Sequence, residues 1–140
     1  MLEQSKNKNL YNDYIQADLT KSLPIKAERY GAFLSAGTFT EGHVGPEALE
    51  ELLRVAKPNA LFCLGINVRA FDKYGFGSAF ALLQADKKIT PAEFVKTRYY
   101  DNTTQGGNSN GQTEDKHAND SYSQDSYSQD YGLTAVFRKV

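Results

Sequence analysis

The sequence predicts an α/β fold built on a largely parallel sheet, and three observations carry that prediction. Two continuous apolar runs, GAFLSAGTF at 31–39 and ALFCLGINV at 60–68, have the length and composition of strands buried on both faces. Between them lies VGPEALEELLRVAKPNA at 44–60, whose Leu49, Leu52, Leu53 and Ala56 recur at the i, i+3, i+4, i+7 spacing of a core-facing helix. A second helical stretch then precedes two further strand-like segments, so strands and helices alternate along the chain.

The elements follow in order. Residues 2–12, rich in Glu, Lys and Gln, read as the remainder of a helix with no N-cap before it, as though something upstream were missing. YIQADL at 14–19 reads as a short strand closed by Asp18, and 20–30 as a loop with one helical turn. The run at 31–39 is bounded by glycine on one side and Thr-Glu-Gly on the other. In the helix at 44–60, Pro46 occupies the first turn, where its missing N–H costs nothing, and Glu47 faces the positive end of the helix dipole. Lys57-Pro58 ends that helix, and Asn59 is suited to the left-handed conformation that follows many helices. NVRAFDKYGF at 67–76 reads as a loop that either lines a substrate pocket with Arg69, Asp72 and Tyr74 or is simply solvated. Residues 75–89 read as a helix, and 92–101 and 131–140 as two strands with partial alternation.

Those last two strands are separated by 102–130, which contains no Val, Ile, Leu, Met or Phe and carries SYSQD twice in tandem. Such a segment buries too little apolar surface to offset its ordering entropy, so it reads as a disordered insertion in a hairpin loop. Its Tyr and Ser residues are open to phosphorylation, and Asn102-Thr103-Thr104 and Asn119-Asp120-Ser121 fit the glycosylation pattern; both read as chance matches.

Composition bounds the function. The 140 residues suffice for one domain, here 1–101 with 131–140. A net charge of −1 gives no footprint for nucleic acid or an anionic membrane. Cys63 is the single cysteine, which excludes an internal disulfide framework and any multi-cysteine zinc site; within its apolar strand it reads as a small hydrophobe. The polar N-terminal stretch reads as neither signal peptide nor membrane span, so the expected location is cytoplasmic.

Four stretches, IQADLTKSLP, GAFLSAGTFTEGHVGPEAL, EELLRVAKPNALF and the terminal GLTAVFRK, together with the order of elements, resemble the later part of class I S-adenosylmethionine-dependent methyltransferases. The likeness is to the methyltransferase-like group typified by the Williams–Beuren syndrome region protein, and it covers roughly 1–101 and 131–140. LLRVAKPNALF is its most family-specific piece, and SAGTFTEGHVGPEAL points to the subgroup. The resemblance implies a Rossmann-like sheet of order 3-2-1-4-5-7-6 with strand seven antiparallel. This chain would supply strands three to seven, with 14–19 as the third.

By the same resemblance Asp18 accepts from the adenine amine and Leu19 packs on the ring, while Gly37, Thr38 and Phe39 lie beside the sulfonium and the methyl acceptor. From the residues alone, Asp18 reads equally as a strand-end carboxylate bonding local backbone, and 37–39 as a buried strand end with a glycine turn. His43 is a candidate general base or substrate-orienting group, or else a helix-entry residue. No metal ligand set is expected.

The chain also departs from the family pattern. No G-x-G-x-G precedes residue 18, and the ribose-binding acid is absent, so the resemblance implies a domain begun at an internal methionine with strands one and two lost. The family's Tyr/Phe-Asp pair is Tyr30-Gly31, and Lys-Pro-Gly-Gly is Lys57-Pro58-Asn59-Ala60. The expected consequences are impaired or absent cofactor binding and an apolar strand, 31–39, with a free edge open to self-association or to pairing with 14–19. The methyl acceptor is undefined. The other readings are a non-catalytic interaction module and a degenerate gene product.

Overall fold

The computed structural model describes residues 2–8, 10–98 and 131–140. The expected disorder of 102–130 lies outside the described residues. The elements are α1 (Leu2–Asn7), β1 (Tyr30–Phe39), α2 (Ala48–Val55), β2 (Ala56–Asn67), α3 (Val68–Lys73), α4 (Phe76–Ala85), β3 (Glu93–Arg98) and β4 (Tyr131–Arg138). The strands form one mixed four-stranded sheet of order β1-β2-β4-β3. β1 and β2 are parallel, joined by α2 as a crossover; β4 runs antiparallel to both β2 and β3. The chain is therefore an α/β protein with a mixed, open sheet.

The core lies on one face. Ala60, Phe62, Leu64 and Ile66, alternate residues of β2, are all buried. They meet Ala48, Leu49, Leu52 and Leu53 of α2, and Phe76, Phe80 and Leu83 of α4. Phe62 is the centre of an aromatic file, stacked on Phe33 at 4.5 Å and on Phe137 at 4.7 Å, with Phe80 edge-on to Phe137 at 5.4 Å. The two stacked pairs cross three neighbouring strands and so hold the register of β1 and β4 against β2.

The other face is open. The register sets Ala32 and Leu34 of β1 beside Leu61 and Cys63 of β2, and Cys63 beside Val136 of β4. None of α2, α3 and α4 packs there. Leu34 is 85% exposed and Val95 51% exposed in consequence.

Five expectations are corrected. Residues 14–19 form no strand: Asp18 turns the backbone by accepting from the Thr20 N–H, Ile15 stays exposed, and no sheet edge receives the segment. The run at 31–39 is a strand but is not buried on both faces, because among the described residues no strand pairs with its outer side and no helix covers its second face; only Phe39 is fully buried. The segment 67–76 is not all loop, since Asn67 Oδ1 accepts from the Arg69 and Ala70 N–H groups and so caps α3. The helix expected over 44–60 is confined to Ala48–Val55, with β2 beginning at Ala56. The helix expected over 75–89 covers Phe76–Ala85.

Candidate functional site

The parallel pair β1–β2 directs its carboxyl ends to one side of the sheet, and ligands of open α/β sheets bind on that side. There β1 bends. Ser35 pairs with Leu64 and Phe39 with Ile66, so β1 carries two extra residues between them, a bulge with Gly37 at φ 76°. Positive φ is strained for any side chain, and open space surrounds Gly37, so its role is conformational. Beside this bulge lies a groove of about 310 Å³ lined by Leu19, Phe33, Ser35, Thr38, Phe39 and Leu52, among others.

This groove joins some of the residues singled out in the sequence. Leu19 and Thr38 line it; Phe39 contributes to its wall, but the ring is buried against Phe76 at 5.7 Å and serves the core as well. Gly37 lies in the bulge beside the groove and does not line it. Asp18 is outside it. Its Oδ1 accepts from the Thr20 N–H at 2.9 Å and the Thr20 hydroxyl at 2.7 Å, and Lys21 Nζ lies 3.5 Å from Oδ2. The Thr20 hydroxyl and then the Thr20 N–H hold its carboxyl below the ordinary aspartate value. The carboxylate is thus satisfied locally, as a strand-end or turn aspartate would be.

His43 is exposed on the loop after β1, its Nδ1 2.7 Å from Thr40 Oγ1. That loop is tied to α3 and the turn after it. Lys73 Nζ donates to Glu41 at 2.7 Å, and the Gly42 N–H donates to the Tyr74 hydroxyl at 2.7 Å. The Lys73 contact holds Glu41 below the ordinary carboxylate value and raises Lys73 above the ordinary lysine value. Tyr74, read from the sequence as either pocket residue or solvated loop residue, therefore anchors the loop.

One groove residue was not singled out from the sequence. Ser35 Oγ is buried and has no hydrogen-bond partner among the described residues. A buried hydroxyl without a partner is uncommon, and here Ser35 lines the groove together with Thr38. In the sequence Ser35 is an ordinary small residue inside an apolar strand; no local signal marks it. Among the described residues, no group of three or more His, Cys, Asp or Glu side chains is placed to hold a metal ion, and no helix is long and apolar enough to cross a membrane. Neither a protein-family model nor a curated protein matches this sequence.

Proposed function

We propose that this chain is part of a class I S-adenosylmethionine-dependent methyltransferase domain and that the groove beside β1 is the remnant of its cofactor site. The observation that carries the reading is the strand order. If β1, β2, β3 and β4 stand for the fourth, fifth, sixth and seventh strands of that fold, the order β1-β2-β4-β3 with β4 antiparallel is the one the sequence resemblance implies. The groove at the carboxyl end of β1, with Leu19, Thr38 and Ser35 on its walls, supports the placement of the ligand.

When bound, the cofactor supplies an electrophilic methyl group on sulfur for direct transfer to a nucleophilic N, O or C. The residues here do the positioning: Leu19 offers an apolar surface for a flat ring, and Thr38 and Ser35 offer hydroxyls. His43 lies on the acceptor side in this reading. Thr20 occupies Oδ1 of Asp18, so in this reading the adenine amine would be met by Oδ2, which lies 3.5 Å from Lys21 Nζ.

The glycine-rich loop and the ribose-binding acid are not among these 140 residues. Two missing charge-assisted hydrogen bonds, at about 1.5–3 kcal/mol each, move a micromolar ligand to the millimolar range. Titration of the chain with S-adenosylmethionine, followed by amide chemical shifts, should therefore give saturable millimolar binding with shifts at Leu19, Ser35 and Thr38. A Leu19→Arg variant should abolish it. Micromolar binding by calorimetry would refute the impairment, and no binding at millimolar ligand would refute the cofactor reading. The bare sheet face also suits a non-catalytic interaction module; unimpaired partner binding by a Leu19→Arg chain would favour that reading.

A further inference from the structure

We propose that Glu51 and Arg54 of α2 are positioning residues for the groove: they clamp residues 22–25 and, through them, set where the Leu19 wall stands. The inference rests on the reading of the groove as a ligand site and adds what holds that site in shape. Residues 18–25 form no helix or strand, so the place of Leu19 depends on tertiary contacts. The turn at Asp18 is closed within itself, its carboxylate bonded to Thr20 and its carbonyl to the Lys21 N–H. Among the described residues, every hydrogen bond that leaves 18–25 ends on Glu51 or Arg54. Glu51 Oε1 accepts from the Leu23 N–H and the Ser22 hydroxyl. Arg54 Nη2 donates to the Leu23 and Ile25 carbonyls.

The pair is suited to hold a position. Arg54 meets Glu51 through both Nε and Nη2, a fork that fixes the planes of the two groups against each other. The Glu51 side chain is 17% exposed, so water competes little for these bonds. Leu52, the residue after Glu51, itself lines the groove. One helix thus supplies one wall directly and ties down another through neighbouring side chains. Leu19 packs against the core, but apolar contact has no direction; the clamp decides where along α2 the residue sits. Such coupling is reciprocal. A molecule packed on Leu19 favours the closed clamp by the factor by which the clamp favours that molecule. The Leu23 N–H, which lies outside the groove lining, therefore reports on the groove.

The test uses the full chain, S-adenosylmethionine as the probe, and Arg54→Ala, which removes the fork and keeps a strong helix former in α2. In the free wild type the backbone heteronuclear NOE of Leu19 should match that of α2. In Arg54→Ala it should fall well below, with Ser35 and Thr38 unchanged. The probe should slow exchange of the Leu23 N–H in the wild type, and Arg54→Ala should bind it at least about fivefold more weakly. Asn59→Val, which strains the turn opening β2 and leaves the clamp alone, should not change that affinity. Glu51→Ala decides the matter if circular dichroism shows Arg54→Ala unfolded. A Leu19 that keeps the order of α2 in both clamp variants overturns the proposal, whether or not the probe binds. Binding that both variants leave intact, or that Asn59→Val weakens equally, overturns it too. A wild type that binds no probe at millimolar concentration refutes the cofactor reading alone, and the order of Leu19 still decides whether the clamp positions it.

Discussion

Glu51 ties the segment before β1 to α2. Its Oε1 accepts from the Leu23 N–H at 2.6 Å and from Arg54 Nη2 at 2.6 Å, and its Oε2 accepts from Arg54 Nε at 2.8 Å. The same Arg54 donates to the Leu23 and Ile25 carbonyls at 3.1 and 2.9 Å. Arg54, followed by the Leu23 N–H, lowers the Glu51 pKa from 4.5 to about 2. A carboxyl that binds its proton less readily when folded adds stability above its unfolded pKa. That stability is lost as the pH falls through the folded value. Urea midpoints should therefore fall from pH 5 to pH 2 in the wild type and fall less in Glu51→Gln. Asp18 and Glu41 are also held low and contribute to both slopes, so the difference between the two proteins isolates Glu51. Parallel slopes would mean the clamp is open in solution. Asn59 makes a second residue-scale prediction. It takes φ 64°, its N–H donates to the Lys139 carbonyl at 3.0 Å, and its own carbonyl accepts from Arg138 at 3.0 Å. Asn59→Val should destabilise by about 1–2 kcal/mol, while Asn59→Gly changes stability by less than about 1 kcal/mol, both read by chemical denaturation.

Two neighbouring apolar residues of the sheet have opposite energetic weights. Phe62 is buried between Phe33 and Phe137, whereas Leu34 stands out of the bare face. Phe62→Ala should cost about 3–5 kcal/mol, enough to unfold much of a domain this small; Leu34→Ala should cost less than about 0.5 kcal/mol. Thermal melts would distinguish them. The sequence could not separate these two residues, since a continuous apolar run reports burial on both faces only when both faces are covered. Local signals served better where the cause is local. The leucine spacing marks α2, and Asn59 takes the left-handed conformation its side chain tolerates. Asp18 turns the chain through its own carboxylate, and that bond defeated the strand expected at 14–19. In the site, Leu19 and Thr38 were legible through the motifs around them. Ser35 was not, because its isolation is a property of the bulge at Gly37 and of the groove wall.

At the scale of the molecule, the last hairpin joins parts that are already side by side. Arg98 pairs with Tyr131, and the β3–β4 register then runs without a break to Glu93 opposite Val136. Residues 99–130 thus connect two strand ends that touch, and the cost of closing such a connection grows with the logarithm of its length. Each halving recovers about 0.6 kcal/mol, so replacing 99–130 with a two-residue Asn-Gly turn, about sixteenfold shorter, should stabilise the fold by about 2.4 kcal/mol. The measurement is the urea midpoint of the shortened chain at constant slope. Since β4 lies between β2 and β3, tightening this hairpin also holds Phe137 against Phe62 and Phe80, and the gain should reach the aromatic file. An unchanged or lower midpoint would mean that 99–130 makes contacts whose loss offsets the shorter closure.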